Sequence, residues 1–134
     1  MNYATPFALL SAELSTLPAD INETRHLWME RMLINAALPF SVVQGSYKGG
    51  RKFAFLVLLP KGYDSLEYRT VMALARLNHQ DSILYVSDQG RASLFYCDGR
   101  KEYVGVFRAV PAAEAEALGS WTRDTQGNYY VVAP

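Results

Sequence analysis

The chain has 134 residues, half of them apolar, and its thirteen basic and thirteen acidic residues leave no net charge. This length fits one folded domain, residues 1–134, with a core of useful size. The balanced charge argues against a nucleic-acid-binding scaffold, and no apolar run approaches the roughly 20 residues that cross a bilayer. The single cysteine, Cys97, excludes an internal disulfide, and the N-terminus lacks the basic stretch of a signal peptide. We therefore expect a cytoplasmic protein that binds neither nucleic acid nor membrane.

The first half of the chain predicts a strand, a helix and a hairpin. Phe7–Leu14 is an apolar run of strand length. Asp20 and Glu23 have the spacing of a capping box, which predicts a helix that begins at Asp20 and runs to Leu38. Helical spacing places four apolar residues near one face of this helix: Ile21, Trp28, Met32 and Ala36. Two strand-like runs then flank a Gly-Gly turn, which predicts a hairpin: Phe40–Tyr47 and Phe53–Leu59.

The second half predicts one more helix and a series of hairpins. A second capping box, Asp64–Glu67, opens a helix to about Asn78, and Ala112–Leu118 is either one helical turn or a loop. The apolar stripe of the second helix comprises Tyr68, Val71, Leu74, Ala75 and Asn78. Glycine-bearing turns separate the remaining strands: Ser82–Ser87, Ala92–Cys97, Tyr103–Val110, Trp121–Thr122 and Tyr129–Val132.

Because hairpins dominate, we expect an α+β fold, a mainly antiparallel β-sheet with two helices packed on one face. The uncovered face would leave apolar strand residues to be buried against another copy of the chain. This pattern therefore also predicts a homo-oligomer.

Common catalytic and metal-binding signatures are absent from the sequence. It contains no G-x-S-x-G, no Walker A loop and no G-x-G-x-x-G, and neither His26 nor His79 has a second ligand at metal-binding spacing. We therefore expect neither a metal site nor a bound cofactor.

Three short patterns are compatible with ligand binding. Gly45-x-Tyr47-x-Gly49 allows close approach of a ligand beside a rigid phenol, although a turn with a packed tyrosine gives the same pattern. Arg25, one turn after Asn22 at a helix start, suits an anion but equally a solvated helix face. Gln80, just before a strand, can contact a purine edge or only form the turn.

Taken in chain order, these pieces resemble the bacteriophage S-adenosylmethionine (SAM) lyase family. No single motif is diagnostic, and the resemblance depends on a collinear set that covers nearly the whole chain. The matching segments are Leu10–Ala12, Asn22–Met29, Gly45-x-Tyr47, Ala73–Leu77 followed by Gln80-Asp81, Ile83–Val86, Gly105–Pro111 and Trp121–Val132.

The resemblance implies an anti-restriction enzyme of the host-cell cytoplasm that converts SAM to methylthioadenosine and homoserine lactone. In such a lyase the ligand's own carboxylate attacks the carbon next to the sulfonium, so the protein acts by holding the ligand folded and desolvated. The resemblance implies a homotrimer with sites between subunits and places Tyr47 beside the sulfonium as the catalytic residue. The expected substrate-binding residues are Ser11, Arg25, Gly45, Lys52 and Gln80.

The chain departs from the family just after that tyrosine. The family has a functional glutamate at the start of the next strand, where this chain has Arg51 and Lys52. Either a carboxylate from elsewhere substitutes, with Glu13 and Glu67 as candidates, or the fold binds a more anionic ligand. In the second case the protein is a non-catalytic anti-defence sponge for a nucleotide immune signal, such as a cyclic ADP-ribose derivative. A protein-binding inhibitor of a host enzyme is a third alternative.

Overall fold

The computed structural model of the protein describes residues 4–47 and 50–134, with the side chains of all of these except Tyr47 and Arg51. The predicted Gly49, and the side chains of Tyr47 and Arg51, therefore lie outside the described residues. No helix in the described part of the chain is long and apolar enough to span a bilayer.

Eight strands form a closed antiparallel barrel in the order β1-β3-β2-β7-β8-β6-β5-β4. The strands are β1 (Phe7–Leu10), β2 (Phe40–Tyr47), β3 (Gly50–Leu58), β4 (Ser82–Val86), β5 (Arg91–Tyr96), β6 (Lys101–Val110), β7 (Trp121–Arg123) and β8 (Tyr129–Ala133). The predicted sheet with two helices packed on one face is therefore wrong. The antiparallel pairing is as expected, but the sheet closes on itself.

The short hairpin of β7 and β8 is what closes the barrel. Thr122 of β7 pairs with Gly45 of β2 on one side and with Tyr130 of β8 on the other. Strand β8 in turn pairs with β6, so the hairpin joins the two halves of the sheet. Closure buries the inner face of the strands within one chain. The need for a second copy to cover that face, which motivated the oligomer prediction, therefore disappears.

The helices lie outside the barrel. They are α1 (Ala19–Asn35), α2 (Leu66–Leu77) and α3 (Ala112–Leu118). The third lies where the sequence is compatible with one helical turn or a loop. The first two pack on the outer faces of β1 and β3, in a core that contains Ala8, Leu10, Phe55, Val57, Met29, Leu33, Val71 and Ala75. The third packs against the closing hairpin through Ala115, next to Trp121 and Val131.

The predicted apolar face of α1 is wrong, whereas that of α2 is confirmed. Ile21 and Trp28 are 45% and 41% exposed, and the buried positions of α1 are Asn22, Met29 and Leu33. Because α1 carries apolar residues on all sides, their spacing does not show which face of the helix packs against the barrel. The buried residues of α2 include the expected Tyr68, Val71, Leu74 and Ala75, and the adjoining Asn78 is also buried.

Both predicted helix caps are also wrong. Helix α1 begins after Pro18 without a side-chain cap, one residue before Asp20. Helix α2 begins after Ser65, whose hydroxyl accepts a hydrogen bond from the Tyr68 backbone N–H at 3.2 Å. The adjacent Asp64 instead pairs with Arg69 at 3.2 Å.

The barrel interior is filled at one end only. Phe7, Val43, Leu56, Val86 and Ala92 form a buried cluster there, packed against Leu9, Ala54, Leu84, Val104 and Phe107. Because side chains alternate across a strand, the inward positions continue along β1 and β3 from this cluster to Ser11 and Lys52. The interior therefore changes from apolar to polar along its length.

Candidate functional site

The polar half of the barrel interior contains a cavity of about 570 Å³, a size typical of small-ligand sites. Its apolar lining comes from six strands and includes Leu9, Ala54, Leu84, Leu94, Val104, Phe107 and Val132. Its polar lining includes Ser11, Lys52, Gln80, Ser82 and Thr122, together with the backbone at Gly45. Four of the sequence-predicted site residues, Ser11, Gly45, Lys52 and Gln80, thus line one cavity.

Strand register explains why Gly45 and Lys52 come together. They are direct partners in the β2–β3 ladder, and the next inward pair is Val43 with Ala54. A methyl group at Gly45 would meet only the carbonyl oxygens of Lys52 and Trp121, at 3.8 and 3.9 Å. Since these are ordinary contact distances, the backbone itself does not require glycine there. The missing side chain leaves room in the cavity.

Ser11 and Gln80 hold the segment that follows β1. The Ser11 hydroxyl donates to the Phe53 carbonyl at 3.1 Å and accepts from the Glu13 backbone N–H at 3.1 Å. The Gln80 amide donates to the Glu13 carbonyl at 3.2 Å. These side chains are therefore engaged with backbone groups at the edge of the cavity.

The Glu13 carboxylate contacts the backbone of β3 at Phe53. Its Oε2 accepts a hydrogen bond from the Phe53 backbone N–H at 2.7 Å, one residue after Lys52. The other candidate, Glu67, is part of α2 on the outside of the barrel and lies 3.8 Å from Lys61. Of the two, only Glu13 contacts β3, one residue after Lys52, and it lies outside the cavity lining.

Lys52 supplies a positive charge to the cavity. Its side chain is exposed, and among the described residues no carboxylate lies within ion-pair distance of its ammonium group. An unpaired cation on the wall of a partly apolar cavity favours a ligand that carries an anionic group.

Arg25 lies outside the cavity lining. Its Nε donates to the Ala12 carbonyl at 2.7 Å, and its terminal nitrogen donates to the Asn78 carbonyl. Asn22, its expected companion, is bound to the Leu14 backbone through both amide atoms at 2.9 Å. In this structure both side chains connect α1 to neighbouring loops. His26 next to them stacks on Phe55 with ring centroids 4.4 Å apart.

Tyr47 is the last residue of β2, two positions after Gly45, and its backbone pairs with Gly50. The predicted position beside the ligand's sulfonium concerns its side chain, which lies outside the described residues. The catalytic role of Tyr47 therefore stays a prediction.

Sequence analysis missed an aromatic pair at the inner end of the cavity. Phe107 of β6 and Tyr130 of β8 are stacked, with centroids 5.1 Å apart and ring planes 12° from parallel. Both residues also line a second cavity of about 390 Å³ at the opposite end of the barrel. In the sequence they are ordinary aromatic strand residues, and no local signal distinguishes them from the core.

A buried aspartate holds the tyrosine of this pair. Asp124 accepts hydrogen bonds from the backbone N–H groups of Gln126 and Asn128, both at 2.9 Å, and from the Tyr130 hydroxyl at 3.3 Å. Burial raises the pKa of Asp124, but hydrogen bonds from Asn128, Gln126 and Tyr130 outweigh it and lower that pKa overall. The ionised carboxylate thus fixes the phenol from outside the cavity.

Metal coordination finds no support in the described part of the chain. No group of three or more His, Cys, Asp and Glu side chains is placed there to hold an ion. The arrangement is instead suited to an organic ligand with an apolar body and a charged end.

The fold defines a β-barrel protein with an internal cavity of small-ligand size. A search of curated proteins finds no match. A family model, described as the S-Adenosylmethionine lyase family, matches residues 8–133. The chain therefore belongs to the S-adenosylmethionine lyase family.

Proposed function

We propose that this protein cleaves SAM to methylthioadenosine and homoserine lactone, with the barrel cavity as its active site. The observation that carries the proposal is the convergence of Ser11, Gly45, Lys52 and Gln80 on one cavity in a chain of this family. The reaction removes SAM, the methyl donor of restriction-modification systems, so the proposal includes an anti-restriction role for a phage in the host-cell cytoplasm.

The apolar walls suit the chemistry of this reaction. The ligand's carboxylate oxygen forms a bond to the carbon next to sulfur, the C–S bond breaks, and its electron pair neutralises the sulfonium. A negative and a positive charge therefore disappear together, and no proton or oxidant is required. Loss of charge is favoured where water is excluded, and Leu9, Leu84 and Leu94 provide such surroundings. A folded methionine chain, held in the cavity, would bring the carboxylate oxygen close to the carbon next to sulfur.

Charged side chains near the cavity would orient the methionine part of SAM, which carries the carboxylate, the amino group and the sulfonium. We propose that Glu13 takes the place of the family's glutamate and attracts the sulfonium or the amino group. Lys52 would then lie toward the ligand's carboxylate, since it repels the sulfonium. Tyr47, through the resemblance, would contribute an aromatic face for the cationic sulfur.

Incubation of the purified protein with SAM, followed by chromatography, tests the proposal. We expect methylthioadenosine and homoserine lactone in equal amounts, and strongly reduced turnover for Tyr47→Leu, which removes the aromatic face, and for Glu13→Gln. Lys61→Ala, which alters an exposed lysine outside the cavity, serves as the control and should retain wild-type activity. Absence of both products with the wild-type protein contradicts the proposal.

Lys52, which has no carboxylate partner among the described residues, favours one second candidate, the nucleotide-signal sponge. A cation at the cavity suits phosphates, which accept charge-assisted hydrogen bonds. For a sponge, Lys52→Ala should weaken nucleotide binding by roughly 1–3 kcal/mol and Lys52→Glu should abolish it. For a lyase, Lys52→Ala should affect turnover less than Tyr47→Leu, which removes the aromatic face. Titration calorimetry with a cyclic ADP-ribose derivative, alongside the SAM assay, separates the two functions.

A further inference from the structure

We infer that the Glu102 carboxylate, held by the Tyr96 phenol, binds the α-amino group of the ligand and makes the site specific for an amino-acid zwitterion. The inference rests on the proposed function for the identity of the ligand. It goes further by assigning the ligand's ammonium group to one side chain of this chain, and it leaves the sulfonium to Glu13 and Tyr47.

Strand register places Glu102 and Tyr96 on the inner face of the barrel. Glu102 of β6 is the direct partner of Leu94 on β5. Tyr96 of β5 is the direct partner of Ser82 on β4. Leu94 and Ser82 both line the cavity, and directly opposed residues of an antiparallel pair share one face. Glu102 also lies two positions before Val104, another lining residue, so both side chains lie next to the cavity.

The neighbouring residue Lys101 supports this direction. Its ammonium group lies 3.8 Å from the centroid of the Tyr63 ring and 5.3 Å from that of Phe95. Phe95 packs against the core between the barrel and the first two helices, which is on the outer face of the sheet. Because successive side chains of a strand point to opposite faces, a Lys101 side chain on the outside implies a Glu102 side chain on the inside.

The negative charge of Glu102 has no cationic partner in the described part of the chain. Its Oε1 accepts a hydrogen bond from the Tyr96 hydroxyl at 2.9 Å. The Arg100 guanidinium lies over the Tyr96 ring, 4.4 Å from its centroid, but forms its ion pair with Asp98 at 2.7 Å. No other described cation is within ion-pair distance of Glu102. The phenol therefore holds one carboxylate oxygen, and the other can accept from a charged donor.

Lys52 lies on the opposite wall of the barrel. Three strands separate β3 from β6 in either direction around the closed sheet. An eight-stranded barrel is just wide enough to hold one small ligand, so Lys52 and Glu102 can contact the same molecule. A cation and an anion in this arrangement match the carboxylate and the ammonium group of an amino acid. A polyphosphate would instead be repelled by Glu102.

The placement also agrees with sites shared between subunits, which the resemblance implies. The side chains of Lys52 and Glu102 are both exposed, and the apolar cluster fills only the other end of the interior. A ligand held between them therefore stays accessible from outside the barrel, where a second subunit can complete the site.

Calorimetry with S-adenosylhomocysteine and its desamino analogue tests the inference, because neither ligand has the sulfonium and only the first has the amino group. Glu102→Gln removes the charge at unchanged size, and we expect its Kd for S-adenosylhomocysteine to rise roughly tenfold. Its Kd for the desamino analogue should not rise, since that ligand has no ammonium group. A rise of equal size for both ligands, or for neither, overturns the inference.

Two further variants complete the experiment. Glu116→Gln makes the same change on the exposed side of α3 and serves as the control, with both Kd values within about twofold of wild type. Tyr96→Phe removes only the hydroxyl that holds Glu102. We expect it to raise the Kd for S-adenosylhomocysteine about threefold and to leave that for the desamino analogue unchanged. Equal weakening of both ligands by Tyr96→Phe contradicts the positioning role of the phenol.

A measurement on the unaltered protein covers the case in which Glu102→Gln does not fold. The wild-type protein should bind S-adenosylhomocysteine roughly tenfold more tightly than the desamino analogue. Equal Kd values for the two ligands overturn the inference, as does a wild-type protein that binds neither.

The SAM assay separates this inference from the proposed function. If SAM is cleaved and Glu102→Gln and Glu116→Gln have equal KM values for SAM, the role of Glu102 is wrong while the lyase stands. If SAM is not cleaved but S-adenosylhomocysteine binds in a Glu102-dependent manner, the lyase is wrong while the amino-group site stands.

Discussion

Gly45 illustrates how a single missing side chain shapes the site. Gly45→Ala would add a methyl group to the cavity at ordinary contact distances from the backbone, without strain in the strand. We expect unchanged thermal stability together with a KM for SAM that rises about tenfold, because the lost volume lies beside Lys52. Steady-state kinetics and a melting curve measure the two effects. An unchanged KM would show that the ligand does not approach β2.

Arg25 was predicted from the sequence to contact the ligand, whereas the structure shows it bound to two backbone carbonyls. Arg25→Ala removes the donors to the Ala12 and Asn78 carbonyls, and we expect it to lower the free energy of unfolding by about 3 kcal/mol. Arg31→Ala, on an exposed position of the same helix, should change it by less than about 0.5 kcal/mol. Urea denaturation of both variants gives the comparison. Weaker SAM binding by Arg25→Ala at unchanged stability would instead support the predicted ligand contact.

The Tyr68 phenol is expected to make the free energy of unfolding fall with rising pH in the alkaline range. Burial, followed by repulsion from Tyr63 and Asp64, raises the pKa of Tyr68 from 10.0 to about 12. Between these values the unfolded chain releases a proton that the folded chain retains, so stability falls as pH rises from about 10 to about 12. Tyr68→Phe should flatten this part of the curve. Denaturation at a series of pH values measures it, and equal slopes for the two proteins would contradict the assignment.

At the scale of elements, the β5–β6 pair depends on one glycine. Strand register shifts between Ala92 and Ser93, and opposite this irregularity Gly105 has φ +144°. A Cβ at Gly105 would lie 2.3 Å from the Ala133 carbonyl oxygen of β8, closer than any real contact. The close approach of β8 to β6 thus requires glycine at this position.

We therefore expect Gly105→Ala to destabilise the protein by roughly 3 kcal/mol or more, from steric conflict added to backbone strain. Gly99→Ala is the matched control. Gly99 also has a positive φ, +97°, but a Cβ there would meet nothing within 4 Å, so only about 1 kcal/mol of strain is expected. Thermal melts of the two variants give the difference. Similar losses would show that β8 does not lie as close to Gly105 as described.

Helix α1 shows where sequence patterns fail at the element scale. Asp20 has a capping-box partner in Glu23, yet the helix begins one residue earlier, after Pro18. The Pro18 carbonyl accepts the first backbone hydrogen bond of the helix, from the Asn22 N–H at 3.0 Å. Its buried face includes Asn22, a polar residue that no hydrophobicity pattern selects. The buried Asn22 amide accepts a hydrogen bond from the Leu14 N–H and donates to the Leu14 and Leu17 carbonyls. These backbone groups come within reach of Asn22 only in the folded loop.

At the scale of the whole molecule, the assembly remains a proposal. The resemblance implies a homotrimer, whereas closure of the barrel removes the need for a partner to cover an open sheet face. Light scattering at micromolar concentration should give three times the 15.0 kDa mass of one chain if the trimer forms. A monomer that still cleaves SAM would show that one barrel contains a complete site.

Most of the strands and helices, and the family, could be predicted from the sequence. Hairpin signals depend on neighbouring residues, so the strands and their antiparallel pairing followed from local patterns. The collinear segments were sufficient for the resemblance to SAM lyases, and the family match over residues 8–133 confirms it. The apolar stripe of α2 was predictable because that helix has a clear polar side.

Closure of the barrel, the cavity and the aromatic pair at its inner end could not be predicted from the sequence. Closure depends on Thr122 pairing with both Gly45 and Tyr130, and pairing across such distances in the chain leaves no local signal. The same pairing decides that the inner face surrounds a cavity instead of facing solvent or a partner. Phe107 and Tyr130 likewise become a stacked pair only because β6 and β8 are neighbours. Local chemistry fixes each strand, but the long-range register fixes which side chains meet.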